Sequence, residues 1–212
     1  MSILEKLACV QGVRSDVPNQ KLVRELASKN SSEEISEIAE NLWNKDKAIQ
    51  SNCIKVLYEI GYIKPELIAE YVNDFIKLLS SRNNRLVWGG MIALSTIAEI
   101  KYEEIFEFQD TLKNAIGKGS VITVDGGLKT LSKIAACGGK YNSVLFPYLI
   151  ECLKNCRPKS VAQYSESISV AVTEENRTQF VKAVNERKEI LSPLQLKRIE
   201  KLLTKLQSKK NA

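Results

Sequence analysis

The chain has 212 residues, of which 44% are hydrophobic and 26% charged, with a formal net charge of +6. This composition supports one sizeable packed core and excludes a chain that is mainly disordered, collagen-like or coiled-coil. No apolar run approaches the roughly 20 residues that a membrane helix needs, and Glu5 and Lys6 stand where a signal peptide requires an apolar stretch.

The apolar spacing predicts an all-α chain. A short N-terminal capping helix is expected at 2–9, followed by helices at 19–29, 32–43, 46–61, 65–80, 84–100, 102–117, 121–137, 141–155, 160–171 and 174–190. A final helix is expected at 193–207, with Ser192 as its N-cap and Lys209 and Lys210 on a frayed end. Pro65 opens a helix just after Gly61 closes one, following the proline-start, glycine-stop asymmetry. The strand-like stretch 121–124 is too short and isolated to require a sheet.

A 37-residue repeat organises these elements. Residues 52–61 (NCIKVLYEIG), 89–98 (GGMIALSTIA) and 126–135 (GGLKTLSKIA) align at that offset. Leu57, Leu94 and Leu131 coincide, as do Ile60, Ile97 and Ile134. In the preceding helix Ile38, Phe75, Leu112 and Leu149 share one position, and Leu42, Leu79, Ile116 and Leu153 share the position four residues on. Positions four apart lie on one helix face, so each unit carries an apolar stripe that only a stacked neighbour can cover. The position of Cys53, Gly90 and Gly127 is always small. Glycine inside a helix costs about 1 kcal/mol relative to alanine, so its recurrence predicts close approach of adjacent layers.

The segment 78–98 (LLSSRNNRLVWGGMIALSTIA) resembles a HEAT repeat: an apolar helix end, a short polar turn, then a helix with small residues ahead of Ala-Leu and Ile. The resemblance covers roughly residues 30–172. It departs from the family where Gln50, Val87 and Val124 replace the usual arginine, and in lacking the turn aspartate. It implies a right-handed α-α superhelix of about five HEAT-like, armadillo-type helix pairs plus a C-terminal capping helix. The second helix of each pair would line the concave side. On this reading 1–212 is a single solenoid domain, with an N-terminal cap at 1–18, helix pairs over 19–190 and the capping helix at 192–208.

Carried onto this chain, that geometry predicts outward rows on the second helices: Ser51, Trp88, Asp125, Ala162; Lys55, Ile92, Lys129, Glu166; Tyr58, Ser95, Ser132, Ser169; and Glu59, Thr96, Lys133. Trp88 and Asp125 would lie near each other, with Tyr58 and Lys129 close by. Alkylpurine DNA glycosylases, a branch of HEAT-like proteins, use concave tryptophans and an aspartate to hold a cationic base and stabilise positive charge on the sugar. That resemblance implies a catalytic role for Trp88 and Asp125 as an alternative reading, with neighbour packing as the competing account of Trp88. Arg82, Arg85, Lys118, Arg157 and Lys159 fall in successive turns and could grip phosphates along one edge, or be ordinary solvated turn residues.

Chemistry narrows further. There is no histidine, which excludes Ser-His-Asp and Cys-His catalysis and His-ligated metals. Cys9, Cys53, Cys137, Cys152 and Cys156 read as reduced thiols of a cytoplasmic protein. Cys152 and Cys156 alone make a poor zinc site. Gly117, Gly119 and the Gly126-Gly127 pair fit no phosphate-loop spacing. Residues 182–212 hold nine Lys/Arg and three Glu, so they carry the whole net charge and the remainder is balanced. The resulting expectation is a non-enzymatic, cofactor-free scaffold that binds a protein on its concave face. Nucleic-acid binding through the basic turns and glycosylase-like DNA repair are the alternatives.

Overall fold

Every position that the 37-residue register assigns to the apolar stripes is buried, from Ile38 and Leu42 to Leu149 and Leu153. The computed structural model describes residues 2–208, and no strand occurs among them. The α-helices are α1 (Val17–Lys29), α2 (Ser32–Glu40), α3 (Lys47–Ile63), α4 (Val72–Leu78), α5 (Asn84–Ile97), α6 (Tyr102–Glu107), α7 (Gln109–Lys118), α8 (Val121–Ala136), α9 (Gly139–Asn155), α10 (Val161–Ile168), α11 (Arg177–Asn185) and α12 (Pro193–Ser208). None of the described helices is long and apolar enough to cross a membrane. Lys209 and Lys210 lie outside the described residues. The chain forms two compact units, Met1–Gly127 and Leu128–Ala212, divided within α8.

In the first unit α1, α3 and α5 stack in succession, with α2 against α3 and α4 against α5. In place of the expected N-terminal helix there is a 3-10 turn, Ile3–Lys6, which buries Ile3. Its Ser2 Oγ accepts from Leu4 N–H and bonds the Glu37 carboxylate. The α3, α5 and α8 starts share a cap at the repeat spacing. Ala48 N–H donates to Asp46 Oδ1 (2.7 Å), Arg85 N–H to Asn83 Oδ1 (3.1 Å), and Thr123 N–H to Ser120 Oγ (3.4 Å). Each satisfies one of the orphan donors of a first helical turn.

Two expected helices are broken. The 65–80 segment is two 3-10 turns, Pro65–Leu67 and Ala69–Tyr71, and then α4. The 102–117 segment divides at Phe108 into α6 and α7. The breaks fall 37 residues apart, at Tyr71 (φ −86°, ψ 15°) and Phe108 (φ −105°, ψ 20°). Both take the sparsely allowed bridge conformation. The bend turns a short leading segment back onto the core, where Ile68 and Ile105, also equivalent, are fully buried.

The glycines serve two contacts. A Cβ on Gly127 would stand 2.4 Å from Ile116 Cγ1, and one on Gly90 3.0 Å from the Phe75 carbonyl oxygen, so these positions admit the first helix of their own repeat. The neighbouring Gly89 and Gly126 admit the preceding second helix: their Cβ atoms would meet Ile54 and Met91, themselves 37 residues apart. The expected approach of adjacent layers therefore occurs one residue earlier than Gly90 and Gly127. Asn52 occupies the equivalent place in α3 and accepts from Asn19 Nδ2 of α1 at 2.6 Å instead. Gly127→Ala destabilises by about 1 kcal/mol net, because crowding exceeds the gain in helix propensity. Gly117→Ala, with nothing within 4 Å of the new Cβ, stabilises by about 1 kcal/mol. Urea unfolding of both variants checks the opposite signs.

In the second unit α9 packs on α10 and α11, and α10 on α12. The expected 160–171 helix is α10 flanked by 3-10 turns at Pro158–Ser160 and Ser169–Ala171. The expected 174–190 helix ends as α11 at Asn185, before a 3-10 turn at Lys188–Ile190. The Arg187 guanidinium donates to the carbonyls of Lys154 and Cys156, occupying two acceptors at the end of α9. At the α12 start Ser192 N–H donates to Gln195 Oε1 (3.1 Å), half of a capping box. The helix buries Ile199 and Leu206 and is pinned by Arg198, whose Nε and Nη2 donate to the two Glu166 carboxylate oxygens at 2.9 and 2.6 Å.

Candidate binding surfaces

On the first unit the second-helix face runs from α3 to α5. Trp88, half-buried, packs on Tyr58 of the preceding repeat, with ring centroids 6.1 Å apart and planes tilted by 54°. Tyr58 meets Tyr62 edge-on at 6.3 Å, and Tyr62 is 56% exposed. The three rings form a cluster whose floor is Tyr58 and whose rim is Trp88 and Tyr62. Burial pushes the Tyr58 phenol up to about 12, reinforced by Glu59, so it stays neutral at any working pH. Beside the rings Lys55 Nζ pairs with Asp16 at 2.5 Å, and half-buried Ile92 continues the face along α5. Asp125, one repeat on from Trp88, is half-buried on α8.

The outward rows are only partly outward. Tyr58, Ser95, Thr96, Ser132 and Ala162 are buried. A face narrower than four rows therefore stays accessible on each unit. Beyond the exposed Asn84 and Arg85 of its first turn, the accessible face of α5 is reduced to half-buried Val87, Trp88 and Ile92.

On the second unit Lys129 and Lys133 of α8 face Gln163, Glu166, Ser167 and Val170 across a groove of about 240 Å³. The Glu166 carboxylate is held by Arg198.

The turns give a different surface. Arg82 and Lys118, from turns one repeat apart, line one cleft of about 470 Å³ within the first unit. Its remaining walls include Ser80, Ser81, Asn84, Thr111 and Asn114, over an apolar base of Leu79, Val87 and Ala115. Arg85 is exposed on the first turn of α5 and does not line it. In the second unit Arg157 Nε donates to Ser160 Oγ at 3.2 Å, closing its own turn, and Lys159 is exposed. Sequence reasoning missed the polar walls of the cleft, although Asn84, Thr111 and Asn114 flank the two cations along the chain.

None of the five cysteines is in a disulfide. Burial raises the thiols of Cys9, Cys53, Cys152 and Cys156, Cys53 to about 12, which disfavours the nucleophilic thiolate.

No protein-family model matches the chain, and no curated protein sequence matches it. Solved structures do. The chain is similar to a designed armadillo repeat protein in complex with the peptide (KR)4, with a TM-score of 0.67 and 14% identity over 96% of this chain and 99% of that one. It is similar to another designed armadillo repeat protein with a TM-score of 0.66 and 15% identity, over 87% and 85% of the two chains. The fold is an armadillo- and HEAT-like α-solenoid. A computationally designed armadillo repeat protein made for modular peptide recognition shares it, with a TM-score of 0.64 and 14% identity over 90% of this chain and 94% of that one.

Proposed function

We propose that this solenoid is a non-enzymatic, cytoplasmic scaffold that binds a protein partner through an extended segment laid on the second-helix face. The observation that carries the reading is the Tyr58–Trp88–Tyr62 cluster, where a half-buried tryptophan and an exposed tyrosine rise from a buried aromatic floor. Rigid aromatic side chains of this kind anchor protein interfaces, because they offer large contact area for little ordering entropy. A structurally similar designed protein, solved with (KR)4, supports the binding mode. The charge pattern here differs from a surface for a basic peptide: Asp16 is neutralised by Lys55 and Glu166 by Arg198. The partner segment is therefore mixed in charge and brings an apolar side chain to the cluster. Five cysteines, none in a disulfide, support a reducing compartment.

Display selection of peptides against the full chain tests this. Selected peptides bind Trp88→Ala at least about thirtyfold more weakly, as expected for an interface anchor worth about 2 kcal/mol or more. If the selected peptides bind Trp88→Ala as tightly as the parent, the second-helix face is not the binding surface.

A further inference from the structure

We infer that the Arg82–Lys118 cleft is a second binding site, separate from the aromatic face, and that it takes a phosphorylated serine or threonine side chain of a peptide. Both cations are exposed, and neither has a carboxylate within ion-pair distance among the described residues. No Asp or Glu lines the cleft. The nearby acid on α7, Asp110, is 95% exposed and already pairs with Lys113 at 3.6 Å. The side chains of Ser80, Asn84, Thr111 and Asn114 make no hydrogen bond within the described protein. Elsewhere in this unit Asn19, Asn30, Asn41, Asn44, Asn52 and Asn83 spend theirs on the fold, and exposed Asn73 does not. The cleft thus gathers two uncompensated positive charges and four unspent hydroxyl and amide groups.

A phosphate monoester matches that inventory. It carries about −1.5 to −2 charge near neutrality and three strong acceptor oxygens. Arg and Lys meet it with charge-assisted bonds, roughly twice as strong as neutral ones. The volume of about 470 Å³ is within the roughly 300–1,000 Å³ of ligand sites and more than inorganic phosphate fills. The surplus lies over Leu79, Val87 and Ala115, which suits the methylene and backbone of a peptide. Nucleic acid fits less well. A phosphodiester carries a single charge, and affinity for it accumulates over many contacts along an edge. Here two cations converge on one cleft, whose polar walls suit a single phosphate group better than a backbone of many.

The test uses the isotope-labelled full chain and four probes: short phosphoserine peptides with randomised flanks, the same pool unphosphorylated, inorganic phosphate, and a short DNA duplex. The phosphopeptides are expected to shift the amide resonances of residues 80–84 and Lys118, and to bind at least about tenfold tighter than the unphosphorylated pool. Arg82→Gln combined with Lys118→Gln abolishes that margin without changing the circular dichroism. Arg85→Gln and Trp88→Ala leave it intact, which separates this site from the aromatic face. The inference is overturned if the amides do not move or if phosphorylation adds no affinity. It is equally overturned if inorganic phosphate binds as well as the peptides, or if the duplex binds more tightly at the same residues.

Discussion

Leu94→Ala lowers stability by about 3 kcal/mol, the largest loss expected from any single conservative truncation considered for the first unit. Leu94 is 0% exposed on α5, the helix that packs on both α3 of the preceding repeat and α4 of its own. Removing three buried carbons forfeits their transfer free energy and leaves a cavity that close-packed neighbours cannot fill. Contacts in a repeat array reach only adjacent units, so the loss enters through the interfaces on both sides of one layer. Leu194, at the start of α12, is 72% exposed, and Leu194→Ala stays within about 0.5 kcal/mol. Urea unfolding of both variants gives the contrast, and amide exchange places the Leu94→Ala loss in the first unit. Equal effects from the two truncations would mean that the 37-residue register is not the register of packing.

Asn142→Ala costs about 2 to 3 kcal/mol, and Asn142→Asp costs more at neutral pH. Asn142 is 9% exposed and ties three segments of the second unit together. Its Nδ2 donates to the carbonyls of Ala135, at the end of α8, and Ala171, after α10, at 3.1 and 2.7 Å. Its Oδ1 accepts from Asn176 Nδ2 at 2.9 Å. Alanine orphans buried partners, at roughly 1–3 kcal/mol for an unsatisfied group. Ala171 keeps its bond from Asn176 (3.1 Å), so the Ala135 carbonyl and the Asn176 amide lose most. In Asn142→Asp a carboxylate faces two carbonyl oxygens. The folded state then favours the protonated acid, and its pKa rises above the unfolded value of about 3.9. With the folded value raised, the deficit is largest at neutral pH and shrinks as pH falls through the folded pKa. Thermal unfolding at pH 7 and pH 4 checks this. A deficit independent of pH would show that the carbonyls are not the cause.

The periodic part of this fold was readable in the amino-acid sequence because burial is periodic. Leu57, Leu94 and Leu131 repeat at 37 residues and are all fully buried. Some signals were present but unused. Asp46, Asn83 and Ser120 are cap formers at the repeat spacing, and each makes its cap. Tyr71 and Phe108, both aromatic and 37 apart, mark the two helix breaks. Neither break contains the glycine or proline that punctuates a helix from sequence, so the apolar spacing ran straight through them.

Of the candidate sites, Tyr58 and Trp88 share the second-helix face by periodicity alone, but not their 6.1 Å contact. In the expected outward row Tyr58, Ser95 and Ser132 are buried and Ser169 is half-buried, since a polar residue on a helix does not reveal how near the next helix lies. Backbone approach at Gly89 and Gly126 sets that distance. Likewise five basic turn residues look alike in sequence. Only the packing of α4, α5 and α7 brings Arg82 and Lys118 to one cleft and leaves Arg85 outside it, while Arg157 closes its own turn on Ser160 in the second unit. The sequence by itself determined the helical class, the repeat length and the buried stripe, because these follow from where apolar side chains recur along the chain. Tertiary structure alone decided which polar side chains are spent on the fold and which converge unspent. That depends on distances between helices, and spacing along the chain does not encode them.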